Sequence, residues 1–459
     1  MQDPLVAGID VGTTNTKIGL YTAGGRALAA EGRPTPPDVR TLRAQVVAAL
    51  ERCIRAAGRA PDAVGVTSMA ETGVAVGADL EPLHEMIRWD DSRGGAEAER
   101  VRQEIGAMEL WRRSGINLGV KTPLSRWLWL RRAGWWRSMR YWLNAADLIV
   151  TALGGAAVTD ATLAARTGAF DIAAGDWSAD ILRYAGLPAS VLPEVGSVAR
   201  SGAVAGLRSG TPVVVAGHDH LVAAFAAGAR SPGQCADSMG TAEALVTVTS
   251  EPPDERHAGS GISWNRTADG SNFCLLSGFP GSGRLIEWFG AGPDEFENLA
   301  ESVTQIPTGI IVEPYLLGRS APEPDSDRRI RISRRAERHG RADLALALLE
   351  GACYQVRWIA EEQSVAAKSA VDSVRVFGGP TRNAAWMRTK AAVMPGRLEV
   401  VRVADLAVVG AALIAGVRCG LISGAPTVPA DPYRVSPETA AVYDELYSKE
   451  FLPRARSGK

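Results

Sequence analysis

The sequence predicts an α/β protein of two related domains facing a central cleft, and three observations lead there. At 459 residues the chain exceeds what a single core of ordinary size organises, so two domains are expected. Short β-prone apolar runs alternate with stretches that carry apolar residues at helical spacing. Finally, Ser238-Met239-Gly240-Thr241 repeats the turn Asp10-Val11-Gly12-Thr13 at an offset of 228 residues, about half the chain, as expected when two domains share one plan.

The first element is the run LVAGIDV at 5–11, which ends at Gly12-Thr13 and resumes as TKIGLYT, a strand, tight turn and strand. Lacking a Cβ, Gly12 lets backbone N–H groups approach an anion, and Thr13, Thr14 and Asn15 add short donors, a nest suited to phosphate oxygens. Asp10, just before that nest, tolerates polyphosphate only with a cation between them. Mg²⁺, which takes carboxylate, water and phosphate oxygens together, is the expected ion. Lys17 on the returning strand could add positive charge there, a water-facing hairpin residue being the alternative reading.

Next come a helix over residues 41–57 and a segment, Gly65 to Thr72, that carries Glu71. Trp89-Asp90-Asp91-Ser92-Arg93 follows. There Asp91 offers acceptors and Arg93 donors for a hydroxylated ligand, a surface salt bridge being the alternative reading. The Trp-rich stretch 127–150 is interrupted by Arg131, Arg132, Arg137 and Arg140, and the apolar run 406–417 is too short to span a bilayer, so both read as packed helices.

After a Gly-, Ser- and Pro-rich stretch at 188–212, VVVAG reads as a buried strand ending on Gly217-His218-Asp219-His220, ahead of the Ala-rich helical run LVAAFAAGA. Strand ends of this kind are where α/β sheets bind ligands. His218 and His220 are metal-ligand types. A strand places Asp219 on the opposite face from them, however, and no third ligand stands at a suitable spacing, so zinc is not expected.

Ser231-Pro232-Gly233 marks a boundary near residue 230, giving domains 1–230 and 231–459. The second nest, Gly240-Thr241, would then hold phosphates from the opposite side. A helix at 342–360 precedes the strand VRVF and Gly378-Gly379-Pro380-Thr381-Arg382-Asn383. Paired glycines there allow backbone to lie flat against a planar ring such as adenine, a plain strand-to-helix turn being the alternative.

Fifty Lys and Arg stand against 51 Asp and Glu, a net charge of −1 with no charged tail, so nucleic acid is not an expected partner. Five cysteines, dispersed and odd in number, read as reduced thiols of a cytoplasmic protein. The opening Met1-Gln2-Asp3-Pro4 leads directly into the first strand without a signal-like segment.

Taken in order, AGIDVGTTNTK, WDDSR, GHDHLVAAFAAGA, DSMGTAEAL and FGGPTRN resemble the landmarks of the FGGY family of carbohydrate kinases, over about residues 5–420. TDATLAARTGAFDIAAGDWSADIL and PYLLGRSAP are similar to intervening family segments. The resemblance implies two ribonuclease-H-like domains of the actin and hexokinase type, with sugar held mainly by the first and nucleotide by the second.

It also implies ATP-dependent phosphorylation of a small sugar or polyol, a ketose such as a pentulose foremost. Asp219 would be the base, Asp10 and Asp219 the groups near Mg²⁺, and Gly12, Thr13, Thr14, Asn15, Lys17, Gly240 and Thr241 the phosphate contacts. Gly283, Gly378, Gly379, Arg382 and Asn383 would surround adenosine. Glu71, Trp89, Asp91, Arg93 and His220 would line the acceptor site. Ala70 and Glu71 match neither the glycerol kinases' Arg-Glu pair nor the xylulose kinases' His. Arg126 stands where a signature Lys is usual, and Asp405 where a helix Glu is usual. An actin-like or chaperone-like ATP switch and a non-catalytic sugar sensor are the competing readings. A homodimer is one assembly left open.

Overall fold

The computed structural model describes residues 3–457; Met1 and Gln2, part of the opening read above, lie outside them. Six strands form the first sheet: β1 (Leu5–Val11), β2 (Asn15–Thr22), β3 (Ala27–Pro34), β4 (Ala63–Ser68), β5 (Ala199–Arg200) and β6 (Pro212–His218), in the order β5-β6-β4-β1-β2-β3. The second sheet has seven: β7 (Gln234–Met239), β8 (Glu243–Thr249), β9 (Ser263–Arg266), β10 (Phe273–Phe279), β11 (Ser373–Gly378), β12 (Arg397–Val401) and β13 (Ala430–Tyr433), in the order β9-β10-β8-β7-β11-β12-β13.

The two sheets share a plan. In each, a Gly-Thr hairpin pairs antiparallel strands, β1 with β2 and β7 with β8. The first hairpin strand then pairs in parallel with β4 or β11, which pairs in parallel with β6 or β12. The repeat in sequence is thus a repeat in architecture: a mixed α/β fold built from two such sheets.

Helices follow from local chemistry. Helix α1 (Val39–Ala57) starts where the Asp38 carboxylate accepts from the Thr41 N–H at 2.7 Å and stops at Gly58, whose φ of 75° only glycine adopts readily. Helix α2 (Pro123–Arg132) carries buried Arg126 and Trp127, and the short α3 (Ala161–Ala165) is capped by Asp160. Helix α4 (Asp219–Ala227) continues directly from β6. Helix α5 (Arg341–Ala367) exceeds the expected 342–360 at both ends and underlies the second core with 18 buried residues. Helix α6 (Ala384–Val393) follows β11, and α7 (Leu406–Arg418) follows β12.

Although α7 comes late in the chain, it packs against β1, β4 and α4. Its backbone lies so close that a Cβ on Gly8 or Gly65 would sit 1.9 Å from the carbonyl oxygens of Val408 and Ala411. Arg418 secures its end, bonding the Asp160 carboxylate at 2.5 Å and the carbonyls of Val215 and Ala268. All five cysteines are free thiols. No helix among the described residues is long and apolar enough to cross a membrane.

Candidate active site

The end of β6 is shaped to present Asp219. A register shift between Val215 and Gly217 bulges the strand before its pairing with β4 resumes at Gly217 and His218, and Gly217 turns at φ 126°. A Cβ there would meet the Thr162 hydroxyl at 2.4 Å, so only glycine fits. The Thr162 hydroxyl accepts from the His218 N–H at 2.8 Å, and the Thr67 hydroxyl donates to the Gly217 carbonyl at 2.6 Å. Asp219 then opens α4, its carboxylate accepting from the His220 N–H at 2.7 Å, with His218 Nε2 at 3.2 Å. The side chain is 23 % exposed.

Because the strand stops at His218, Asp219 does not face away from the two histidines as expected. Donor atoms of His218, Asp219 and His220 lie within 4.8 Å of one another, and the histidine rings meet edge to face at 5.4 Å. Burial holds the His218 imidazole neutral, well below its usual range, with His220, Arg166 and Lys121 adding to the shift.

At the first turn, the Gly12 N–H donates to the Asn15 carbonyl at 3.1 Å, leaving Thr14 and Asn15 exposed at the tip. Burial and the neighbouring Asp219 charge push the Asp10 carboxyl well above the usual range, and one of its oxygens is buried without a partner. Burial likewise raises Asp219, with Glu71 adding and His220 opposing. Two buried neighbouring carboxylates, one of them with an unpartnered oxygen, fit a Mg²⁺ ion. Lys17 is engaged with Asp405 at 2.5 Å rather than free.

The residues expected on the acceptor side come together from distant segments. Glu71, in the left-handed conformation at φ 58°, is buried. One of its oxygens accepts a close two-pronged contact from Arg166, and the other faces Lys121 Nζ at 3.2 Å. Burial alone would raise Glu71, but the two cations outweigh it and hold the carboxyl below its ordinary value. Arg126, fully buried, donates to the carbonyls of Glu71 at 2.5 Å and Asp91 at 3.2 Å, tying both loops to α2. Asp91 and Arg93 form a bidentate pair with each other, the salt-bridge state. Trp89 is 38 % exposed and donates its indole N–H to Thr13 at 3.0 Å, joining the WDDSR segment to the first Gly-Thr turn.

Across the cleft lies a cavity of about 520 Å³ lined by Gly240, Thr241, Gly283, Gly379, Arg382 and Asn383, six residues singled out from sequence, together with Ile286 and Trp386. The Gly283 N–H donates to the Gly240 carbonyl at 3.1 Å, and a Cβ on Gly283 would come within 2.8 Å of that oxygen. Asn383 caps α6, accepting from the Trp386 N–H at 2.8 Å. Gly378 is not a lining residue. At φ 111° it lies against β7, where a Cβ would meet the Met239 carbonyl at 1.9 Å.

Residues 5–226 match the N-terminal domain, and residues 235–419 the C-terminal domain, of the FGGY family of carbohydrate kinases. The chain belongs to this family. It is therefore a carbohydrate kinase, a phosphotransferase acting on an alcohol group. Glycerol kinase 2 of Streptomyces avermitilis is 28% identical over 451 residues, covering 91% of this chain and 89% of that protein. A gluconate kinase from Lactobacillus acidophilus shares the fold at a TM-score of 0.88 with 21% identity, over 97% of this chain and 96% of that one. Plasmodium falciparum glycerol kinase with ADP does so at 0.84 with 18% identity, over 97% of each.

Sequence reading did not single out Lys121 or Arg166. Arg166 sits in the segment TDATLAARTGAFD, quoted for resemblance alone. A signal existed: a lone Arg in an otherwise apolar run, which burial requires to be paired.

Proposed function

We propose that the protein transfers the γ-phosphoryl group of ATP to a hydroxyl of a small sugar or polyol, with Asp219 as the proton acceptor. The observation that carries this reading is the register that sets Asp10 of β1 opposite Thr67 of β4 and Thr67 opposite Gly217 of β6, two residues before Asp219, so that both carboxylates stand at one edge of the first sheet.

On this reading Gly12 to Asn15 and Gly240-Thr241 hold the phosphates, and the 520 Å³ cavity takes adenosine. Asp10 and Asp219 would hold Mg²⁺, which neutralises phosphate charge. An aspartate is too weak a base to ionise an alcohol beforehand, so the hydroxyl proton passes to Asp219 late, as the loose transition state collapses. Positioning supplies most of the catalysis, and closure of 1–230 on 231–459 excludes water.

An ADP-release assay with Mg²⁺-ATP against ketoses (pentuloses first), polyols and sugar acids tests the reading. Stimulation by at least one acceptor is expected. A panel that leaves the basal rate unchanged would favour a nucleotide switch or a sensor. Arg166→Met, which strips Glu71 of its buried partner, is expected to cost about 3 kcal/mol of stability, checked by urea unfolding, and to raise KM for the acceptor.

A further inference from the structure

Behind the nucleotide cavity lies an ion triad with no exposed side-chain surface. Lys390 Nζ of α6 contacts Asp237 of β7 at 2.5 Å and makes a still closer contact with Glu243 of β8. The second Glu243 oxygen accepts from the Ser282 hydroxyl at 3.1 Å. One Asp237 oxygen and the Thr389 hydroxyl are buried without partners.

Each member adjoins a piece of the cavity wall. Glu243 follows the Gly240-Thr241 turn by two residues, Ser282 precedes Gly283, and Lys390 stands one helical turn beyond Trp386. Three separate chain segments that line the cavity are therefore joined through Glu243, which meets the Lys390 ammonium with one oxygen and the Ser282 hydroxyl with the other. Burying one cation with two carboxylates is a poor way to gain stability. It fixes geometry instead, because a misplaced member leaves a charge uncompensated.

We infer that Lys390 is a positioning residue for the nucleotide, holding the second phosphate turn against the adenosine loop, and that Glu243 sets the charge behind that turn. This inference rests on the kinase reading above. Burial and Asp237 push Glu243 up to about 8, while the two carboxylates raise Lys390 further. At neutral pH the Glu243 carboxyl is then largely protonated beside the Lys390 ammonium. The thiols facing it are neutral: that of Cys235 is pushed up to about 12 and that of Cys353, on α5, higher still. Glu350, next on α5, is bonded to Thr308 and Tyr443 and raised to about 7, so it titrates in the same range but is left intact by a change at Glu243. As pH rises through 8, Glu243 ionises and adds a negative charge behind the phosphate turn.

Calorimetric titration with Mg²⁺-ADP from pH 6.5 to 9.5 tests this. Wild-type affinity is expected to fall about tenfold across the range, the order of effect of one charge at partly buried distance. Glu243→Gln, which keeps the volume and the Lys390–Asp237 pair, is expected to remove most of that fall. Lys390→Met, if its melting curve shows it folded, is expected to bind Mg²⁺-ADP at least tenfold more weakly at pH 7, and Lys390→Arg to recover part of the loss. A wild-type pH slope retained in Glu243→Gln, a flat wild-type profile, or full affinity in folded Lys390→Met overturns the inference. Failure of the wild type to bind Mg²⁺-ADP at any pH overturns the kinase reading with it.

Discussion

Replacing Asp219 by Asn is expected to lower kcat by about 10²–10⁴, or roughly 3–5 kcal/mol of transition-state stabilisation, while Mg²⁺-ATP still binds. The variant keeps the shape and the acceptor for the His220 N–H, so α4 and the strand end stay in place. It loses the capacity to take a proton and one of the two charges offered to Mg²⁺, with Asp10 still in place to hold the ion. The sign of the pH dependence follows from the same site. Burial raises Asp219, and turnover requires its ionised form, so wild-type turnover falls as pH drops through that raised value. Initial rates with the acceptor found in the ADP-release panel, measured from pH 4.5 to 8, check both statements. An undiminished kcat in folded Asp219→Asn would falsify the role given to this residue.

Gly65→Val is expected to destabilise the fold by about 3 kcal/mol or more. Local reasoning predicts the reverse, since valine is a better strand former than glycine and β4 is a central strand. The tertiary contact decides the sign. A Cβ at this position would lie 1.9 Å from the Ala411 carbonyl oxygen, a backbone atom of a helix that has no side-chain rotamer to move. Either α7 shifts off the first sheet or β4 deforms. Because Arg418 at the end of α7 binds groups from both halves of the chain, the shift would also loosen the junction beneath the active site. Urea unfolding of Gly65→Val beside Gly424→Ala, where an added Cβ meets nothing within 4 Å, measures the effect against a neutral control.

The parts of the site legible in sequence are those built by consecutive residues. Asp10 to Asn15, Gly217 to His220, Gly240-Thr241 and Gly379 to Asn383 each carry their chemistry in a few adjacent positions, where glycine and short polar side chains betray the backbone they require. Asp91 and Arg93 were equally visible as a motif, but sequence alone left open whether they face a ligand or each other. In the structure they face each other. Glu71 was visible too, yet its partners Arg166 and Lys121 stand 95 and 50 positions away, and nothing local announces such a pairing.

By itself, then, the sequence determined the two-sheet α/β plan and the four turns that frame the cleft, because strand period, glycine turns and an internal repeat are short-range properties of the chain. Only the tertiary structure decided which charges are buried together and where α7 lies. A lysine in a helix reads as a solvated residue until the fold encloses it, as it does Lys390 between Asp237 and Glu243. A helix of small apolar residues reads as part of the segment it follows until Gly8 and Gly65 let it settle on the other sheet. Both outcomes depend on contacts between residues more than a hundred positions apart, and long-range packing sets them, not local preference.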